Sequence, residues 1–146
     1  MKKDYSSILS AVFILGFLGL LFSTIMPLWT SSESDSLSEF STNRALTQVE
    51  AISKKPHFVG SKNHDEVANY LVKELQKLGL ETSLQEGYTL SDWGNLVKSK
   101  NILARIKGTN SQKALLLLSH YDSAPHSYSH GASDAGSGVA TILESV

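Results

Sequence analysis

The residues best suited to chemistry lie in one stretch, residues 115–138, with the sequence LLLLSHYDSAPHSYSHGASDAGSG. Four leucines lead directly into His120 and Asp122, and a second aspartate, Asp134, follows twelve residues after Asp122. An imidazole and two carboxylates supply the nitrogen and oxygen donors that hold divalent metal ions in proteins. Because the chain contains no cysteine, thiolate metal sites and disulfides are excluded, and any metal ion must be held by His, Asp and Glu.

The surrounding sequence predicts how these residues come together. Residues 114–118 are a continuous apolar run, typical of a strand covered on both faces. In open α/β sheets ligands bind beyond the carboxyl ends of the strands, which is where His120 and Asp122 would lie. Their i, i+2 spacing in an extended chain points both side chains to the same side, so Asp122 is placed to help orient the imidazole. Asp134 precedes the sequence AGSG at a predicted helix N-terminus, where glycines allow close backbone approach.

Each of these features also has a simpler interpretation. A His-x-Asp pair at a strand end can be an incidental hydrogen-bonded pair. Asp134 alone can be a helix cap, with Gly136 and Gly138 as turn residues. The combination of His120, Asp122 and Asp134 at the end of a buried strand favours a metal site.

The N-terminal part of the chain differs from the rest. Residues 8–29, ILSAVFILGFLGLLFSTIMPLW, carry no charge. As a helix they would be about 33 Å long, enough to cross a hydrocarbon core of about 30 Å. A buried core helix is disfavoured because the segment is apolar all round. A cleavable signal peptide is the alternative, but its apolar core would be shorter and no clear A-x-A-like cleavage site follows.

The charges that flank this segment predict its orientation. Lys2 and Lys3 precede it, and three acidic residues follow before the next basic residue, Arg44. The positive-inside bias therefore predicts a cytoplasmic tail (residues 1–7), a transmembrane helix (residues 8–29) and an extracytoplasmic remainder. Residues 30–38 are Ser-rich and are expected to be a linker.

Residues 39–146 are expected to form one α/β unit. The net charge of −1 and the lack of a basic stripe argue against a nucleic-acid surface. A helix should begin after Ser41 or Thr42 and be ended by Pro56, and a second should run from a cap at Ser61 or Asn63 to Gly79. Strands are predicted over residues 80–90, 101–107 and 114–118, and a last helix near residue 137. This order is the opening half of an α/β sandwich.

The remaining candidates are expected to have structural roles. His126 and His130 are four residues apart, a spacing that suits a metal ion only on a helix, whereas Pro125 and Gly131 indicate a loop. His57 is expected to be a turn residue, and His64 is expected to lie on the helix surface in a first turn. Trp93 is expected to pack a loop, and Glu144 is expected to lie on an ordinary helix surface.

At these motifs the sequence resembles the M28 zinc metallopeptidases, and within them the membrane-anchored vacuolar and endoplasmic-reticulum type. HYDS, at residues 120–123, is similar to the family's His-x-Asp motif. GASDAGSGVA, at residues 131–140, is similar to its second motif, in which a metal-bridging Asp stands three residues after a glycine. The resemblance extends upstream through PHFVGS and YLVKELQKLG and covers residues 40–146. A membrane span before the peptidase domain is a further similarity.

The resemblance implies a zinc-exopeptidase-like α/β/α sandwich with a mixed, largely parallel sheet, of which residues 39–146 would be the N-terminal part. It implies two zinc ions, with His120 bound to one, Asp134 bridging both, and Asp122 supporting His120. It also implies an aminopeptidase acting on peptide substrates outside the cytoplasm, in a periplasm, vacuole or endoplasmic-reticulum lumen. The general-base glutamate and the other ligands are expected further along the family's sequence, so this chain alone is expected to be inactive.

Two other functions stay open. The first is a glutaminyl cyclase, an acyl-transfer enzyme with similar motifs and a single zinc ion on the same fold. The second is a non-catalytic ectodomain that keeps the fold for binding. The presence of His120, Asp122 and Asp134 counts against the second.

Overall fold

The structure, a computed structural model, describes residues 6–26, 36–92, 94–109 and 113–146. The chain divides into two compact units, Met1–Ser32 and Glu33–Val146. Several predictions concern residues outside the described ranges, namely most of the predicted tail and linker, the last three residues of the predicted span, and Trp93.

Helix α1, Ser6–Ile25, is an apolar helix at the position of the predicted membrane span. An 18-residue window of this 20-residue helix has a mean hydropathy of 2.4, and none of the helix residues is buried. At 1.5 Å per residue the helix is about 30 Å long, which suffices to cross a membrane. The hydroxyls of Ser23 and Thr24 donate to main-chain oxygens one turn back, at 2.7 and 2.8 Å, which satisfies these polar groups within the helix. That α1 spans a membrane stays a prediction.

Two helices open the second unit, α2 (Thr42–Ile52) and α3 (Lys62–Lys77). Ser41 caps the first and Ser61 the second, and the side-chain oxygen of each accepts a hydrogen bond from the main-chain N–H three residues ahead. Gly79 follows α3 with a φ of 80°, as predicted for a left-handed residue after a helix. Helix α2 ends at Ile52, four residues before the predicted break at Pro56.

Strands β1 (Thr82–Leu90) and β2 (Leu96–Ala104) form an antiparallel hairpin, with Thr82 opposite Ala104 and Leu90 opposite Leu96. Gly94 has a φ of 75° in the turn between them. Strand β2 begins five residues before the start of the predicted strand and ends three residues before the end of that strand. The turn and the pairing with β1 set its bounds. Within the described residues the sheet has only these two strands, so the predicted mixed, largely parallel sheet is not confirmed.

The prediction of a buried strand over residues 114–118 is wrong for the structure as described. The segment forms no strand, and its four leucines, residues 115–118, are 50–87% exposed. A run of leucines indicates that a segment needs cover, but a strand also needs hydrogen-bonded neighbours, and the described strands pair only with each other. Together with α3, β2 and the last helix, the leucines line a cavity of about 580 Å³ that reaches His120 and Asp122.

Helix α4, Ser137–Ser145, begins where the sequence predicts and completes a small core. The core consists of one side chain of α2, two of α3 and two of α4, none of which is more than 9% exposed: Ile52, Val67, Leu71, Val139 and Leu143. Tyr121 packs against this cluster from the segment after the leucines. The core therefore fixes the start of α4 beside the His-Tyr-Asp segment.

Candidate metal centre

The structure brings His120 and Asp134 into direct contact. Nε2 of His120 lies 2.9 Å from Oδ1 of Asp134. The Asp134 side chain is 86% exposed and the His120 side chain 52% exposed, so a ligand can reach both from solvent. The two residues proposed as metal ligands thus lie at one place on the surface of the second unit.

Asp122 lies at the other nitrogen of the same imidazole. Nδ1 of His120 is 3.2 Å from the main-chain oxygen of Asp122 and 3.4 Å from its Oδ1. The i, i+2 spacing therefore places both side chains on one side of the chain, as predicted. This contact fixes the ring so that Nε2 faces Asp134.

Both ring nitrogens of His120 consequently face oxygen acceptors. A carbonyl or carboxylate oxygen needs a proton or a cation opposite it. The imidazole must therefore either carry a proton on each of its two nitrogens or bind a metal ion through one of them. Burial opposes protonation, but the hydrogen bond to Asp134 and the negative charge of Asp122 outweigh it, and the pKa of His120 is raised above 6.5. A metal ion at Nε2 would replace the proton and meet the same carboxylate. The donor set therefore fits a divalent cation.

The wide turn Ala132–Gly136 carries Asp134 to this position. A hydrogen bond of 2.8 Å from the N–H of Gly136 to the oxygen of Gly131 closes the turn, and the peptide bond after Asp134 is cis. The N-cap residue of α4 is Gly136, which makes no side-chain capping hydrogen bond. Asp134 is therefore not the cap that the simpler interpretation requires, since its carboxylate contacts His120 instead.

Glycines permit the close approaches that the sequence predicts here. A Cβ on Gly136 would lie 2.7 Å from the oxygen of Gly131, and a Cβ on Gly138 would lie 2.7 Å from Oγ of Ser119. Gly131 itself has a φ of 65°, in the left-handed region. The turn that carries Asp134 thus tolerates no side chain at Gly136 without a backbone shift.

Tyr121 anchors the His-Tyr-Asp segment from its other side. Its hydroxyl donates to the main-chain oxygen of Lys100 at 2.9 Å, and its ring stacks on His64 with centroids 4.7 Å apart and an interplanar angle of 11°. Burial, with a smaller contribution from the charge of Asp122, raises the pKa of Tyr121 to about 12. His64 is only 5% exposed, and burial lowers its pKa. The prediction that His64 lies on the helix surface is wrong, because the first turn of α3 faces Tyr121.

Glu144 is likewise not ordinary helix surface, and that prediction is wrong. Its side chain is 10% exposed, and its Oε1 accepts hydrogen bonds from Nε of Arg44 at 2.9 Å, from Nη2 of Arg44 at 2.5 Å and from the N–H of Ser41 at 2.9 Å. Burial acts to raise the pKa of the carboxyl, but the hydrogen bonds from Arg44 and Ser41 and the charge of Arg44 lower it. This ion pair joins α4 to the start of α2.

His57 was expected to be a simple turn residue, and the structure shows more. It lies between α2 and α3 but is 1% exposed, and its main-chain N–H donates to Oγ of Ser123 at 2.8 Å. Its Nδ1 donates to the main-chain oxygen of Lys55 at 2.8 Å. The signal that marks this residue in the sequence is its place within PHFVGS, a segment included in the family resemblance.

The other histidines lie on a loop, as predicted. Residues 124–130 contain no helix, and Nδ1 of His130 contacts the main-chain oxygen of Ser53 at 2.9 Å. Among the residues that the structure describes, no group of three or more His, Asp or Glu side chains is arranged to hold a metal ion. His120 and Asp134 therefore provide a partial site, with Asp122 behind it.

Comparison with known proteins agrees with this arrangement. The model of peptidase family M28 matches residues 101–146, which include both motifs. The vacuolar membrane protease of Candida albicans (strain WO-1) is 35% identical over 98 residues, which cover 65% of this chain and 12% of that protein. The chain belongs to peptidase family M28. It spans about an eighth of the length of the curated vacuolar membrane proteases it matches.

Solved structures share the fold of this M28 chain. Porphyromonas gingivalis glutaminyl cyclase aligns with a TM-score of 0.67 at 29% identity, over 76% of this chain and 39% of that one. A leucine aminopeptidase precursor from Bacteroides thetaiotaomicron aligns with a TM-score of 0.65 at 27% identity, over 75% and 41%. A Zn-dependent exopeptidase from Parabacteroides distasonis aligns with a TM-score of 0.60 at 26% identity, over 75% and 41%. The fold is therefore of the zinc-exopeptidase and glutaminyl-cyclase type.

Proposed function

We propose that this protein is a zinc-dependent exopeptidase, specifically an aminopeptidase, whose M28 domain acts on peptides at the extracytoplasmic side of a membrane. The observation that carries the proposal is the contact of His120 with Asp134, in which an imidazole nitrogen and a carboxylate oxygen face each other at 2.9 Å on an exposed surface. Membership of family M28 and the similarity to a Zn-dependent exopeptidase support zinc as the cation.

In this proposal the residues have distinct tasks. Asp122 holds Nδ1 of His120, so that Nε2 is presented to the metal ion. Asp134 offers two carboxylate oxygens, which suits a position between two cations. When bound, zinc ions would act as Lewis acids that activate the scissile carbonyl.

Two donors are too few for a complete site, since zinc sites normally have at least three protein ligands. We expect the remaining ligands and the general-base glutamate to come from sequence beyond these residues, because the curated relatives are about eight times longer than the part matched here. Helix α1 and the similarity to vacuolar membrane proteases support a membrane location. The predicted orientation puts the M28 domain outside the cytoplasm.

A glutaminyl cyclase is the second candidate, favoured by the alignment with the Porphyromonas gingivalis enzyme. The intact protein should be incubated with a peptide that begins with Leu and with one that begins with Gln. An aminopeptidase releases the first amino acid, whereas a cyclase releases ammonia and leaves a pyroglutamyl peptide. We expect amino-acid release that stops on chelation and returns with zinc. Ammonia release alone would establish the cyclase, and no turnover of either peptide by the zinc-loaded protein would refute both.

A further inference from the structure

His57 occupies the point where both ends of the site loop meet. The loop of residues 123–131 joins the His-Tyr-Asp segment to the turn that carries Asp134. Its first residue, Ser123, is completely buried and directly follows Asp122. Its last residue, Gly131, stands three residues before Asp134 and is also buried.

The first end of the loop is bonded to the main chain of His57. The N–H of His57 donates to Oγ of Ser123 at 2.8 Å, and the N–H of Ser123 donates to the oxygen of His57 at 3.4 Å. The two bonds link positions 66 residues apart in the sequence. They place the turn between α2 and α3 directly behind Asp122.

The imidazole of His57 adjoins the second end of the loop. A Cβ on Gly131 would lie 3.3 Å from Cε1 of His57 and 3.2 Å from Cβ of Ser123, so a side chain at this position would crowd both the ring and Ser123. The oxygen of Gly131 in turn accepts the hydrogen bond from Gly136 that closes the Asp134 turn. The ring of His57 therefore lies against the backbone that sets the position of Asp134.

The orientation of this ring is fixed from behind. Nδ1 of His57 donates to the oxygen of Lys55 at 2.8 Å, while Nε2 is buried and has no hydrogen-bond partner among the described residues. The buried imidazole thus acts in the structure mainly by its shape, filling the space between Ser123 and Gly131. A buried nitrogen without a hydrogen-bond partner lowers the stability of the folded protein, and a residue that served only to form a turn would not need such a nitrogen.

We propose that His57 is a positioning residue that sets the separation between the His120–Asp122 segment and Asp134, and thereby the affinity of the site for zinc. The proposal rests on the proposed zinc function of the site. It assigns His57 no contact with substrate or metal. Its effect passes through Ser123 on one side and through Gly131 on the other.

The test uses three variants of the intact protein. His57→Ala removes the ring, His57→Phe keeps a flat aromatic ring, slightly larger than imidazole, and loses the Nδ1 hydrogen bond, and Lys55→Ala is the control. Lys55 has an exposed side chain in the same turn, and its substitution keeps the main-chain oxygen that accepts from His57. Zinc affinity is measured by competition with a chromophoric chelator, and hydrogen exchange of the metal-free protein is followed at the amides of Ser123 and Gly136.

We expect His57→Ala to weaken zinc binding by about 10–100-fold, the effect typical of residues that support metal ligands. Exchange at Ser123 and Gly136 should accelerate while the amides of α3 keep their protection. His57→Phe should recover most of the affinity, and Lys55→Ala should match the wild type. Unchanged affinity and exchange in His57→Ala would overturn the proposal. So would an equal loss of protection throughout α3, which would show general unfolding. If the wild-type protein binds no zinc, the proposed function fails, and the exchange at Ser123 and Gly136 still decides the role of His57 in positioning the loop.

Discussion

Nε2 of His120 lies 2.9 Å from Oδ1 of Asp134, although the two residues are fourteen positions apart in the sequence. The imidazole is held at its other nitrogen by Asp122.

If Asp134 bridges two ions, Asp134→Asn removes the anionic link, and zinc content and hydrolysis should both collapse. His120→Ala should lose mainly one ion and be partly rescued by excess zinc. Asp122→Asn should keep more metal, with a loss of about 10–100-fold in affinity or activity.

The measurement for these variants is zinc content alongside the rate of hydrolysis of an aminoacyl substrate by each purified intact protein. Asp92→Asn, at an exposed carboxylate in the turn between β1 and β2, is the matched control and should behave as wild type. Two retained zinc ions with normal turnover in Asp134→Asn would show that the bridging role is wrong.

Gly136→Ala should distort the turn that carries Asp134. The new Cβ would lie 2.7 Å from the oxygen of Gly131, which is main chain and cannot turn aside as a flexible side chain would. We expect a loss of about 1–3 kcal/mol in the free energy of unfolding, the range for overpacked sites, together with weaker zinc binding. The control is Gly87→Ala in β1, where the nearest atom to a new Cβ is 4.0 Å away. Its unfolding midpoint should stay near that of the wild type, and equal losses in both variants would contradict the steric explanation.

Arg44→Ala should destabilise the packing of α4 on α2. Among the described residues, only the N–H of Ser41 would remain as a donor to Glu144, whose side chain is 10% exposed. Loss of a charged hydrogen-bond partner of a buried group typically costs about 1–3 kcal/mol. Thermal unfolding of the intact protein measures the effect, with Lys62→Ala as a control at an exposed ion pair on α3. An unfolding midpoint for Arg44→Ala that equals that of Lys62→Ala would show that the pair is only a surface contact.

The same ion pair predicts a pH dependence of stability. The pKa of Glu144 in the folded protein is lowered from its usual 4.5. The stabilisation is therefore fully present above pH 4.5 and is lost as the pH falls through the lower folded-state pKa. Wild type should lose stability over this acidic range, and Glu144→Gln should lose less of it because position 144 no longer titrates. Parallel curves of unfolding midpoint against pH for the two proteins would contradict the prediction.

Helix α1 and its flanking charges predict the topology. With Lys2 and Lys3 on the cytoplasmic side, a reporter fused after Val146 that functions only outside the cytoplasm should be active. If a reporter that functions only in the cytoplasm were active at the same junction, the orientation would be the opposite of the predicted one. A mature protein that begins near residue 30 would identify α1 as a cleaved signal peptide. N-terminal sequencing of the mature protein, from both the membrane and the soluble fraction, makes that distinction.

Local features of this chain could be predicted from the sequence because their causes lie within a few residues. Caps at Ser41 and Ser61, the left-handed Gly79 and the apolar helix at the N-terminus depend on side-chain and backbone preferences over one or two turns. The same-side placement of His120 and Asp122 follows from the two-residue period of an extended chain. The fold class followed from the motifs by family resemblance, whereas periodicity alone supported only the start of an α/β sandwich.

The tertiary structure alone decided which polar residues are buried and what they contact. His57, His64 and Glu144 have ordinary polar surroundings in the sequence, yet each meets a partner far along the chain. Such burial depends on which elements pack together, and a sequence pattern records only that a face needs cover. For the same reason the leucines of residues 115–118 were assigned to a buried strand that the described structure lacks. Strand formation requires a hydrogen-bonding neighbour, and a strand's own residues cannot supply one.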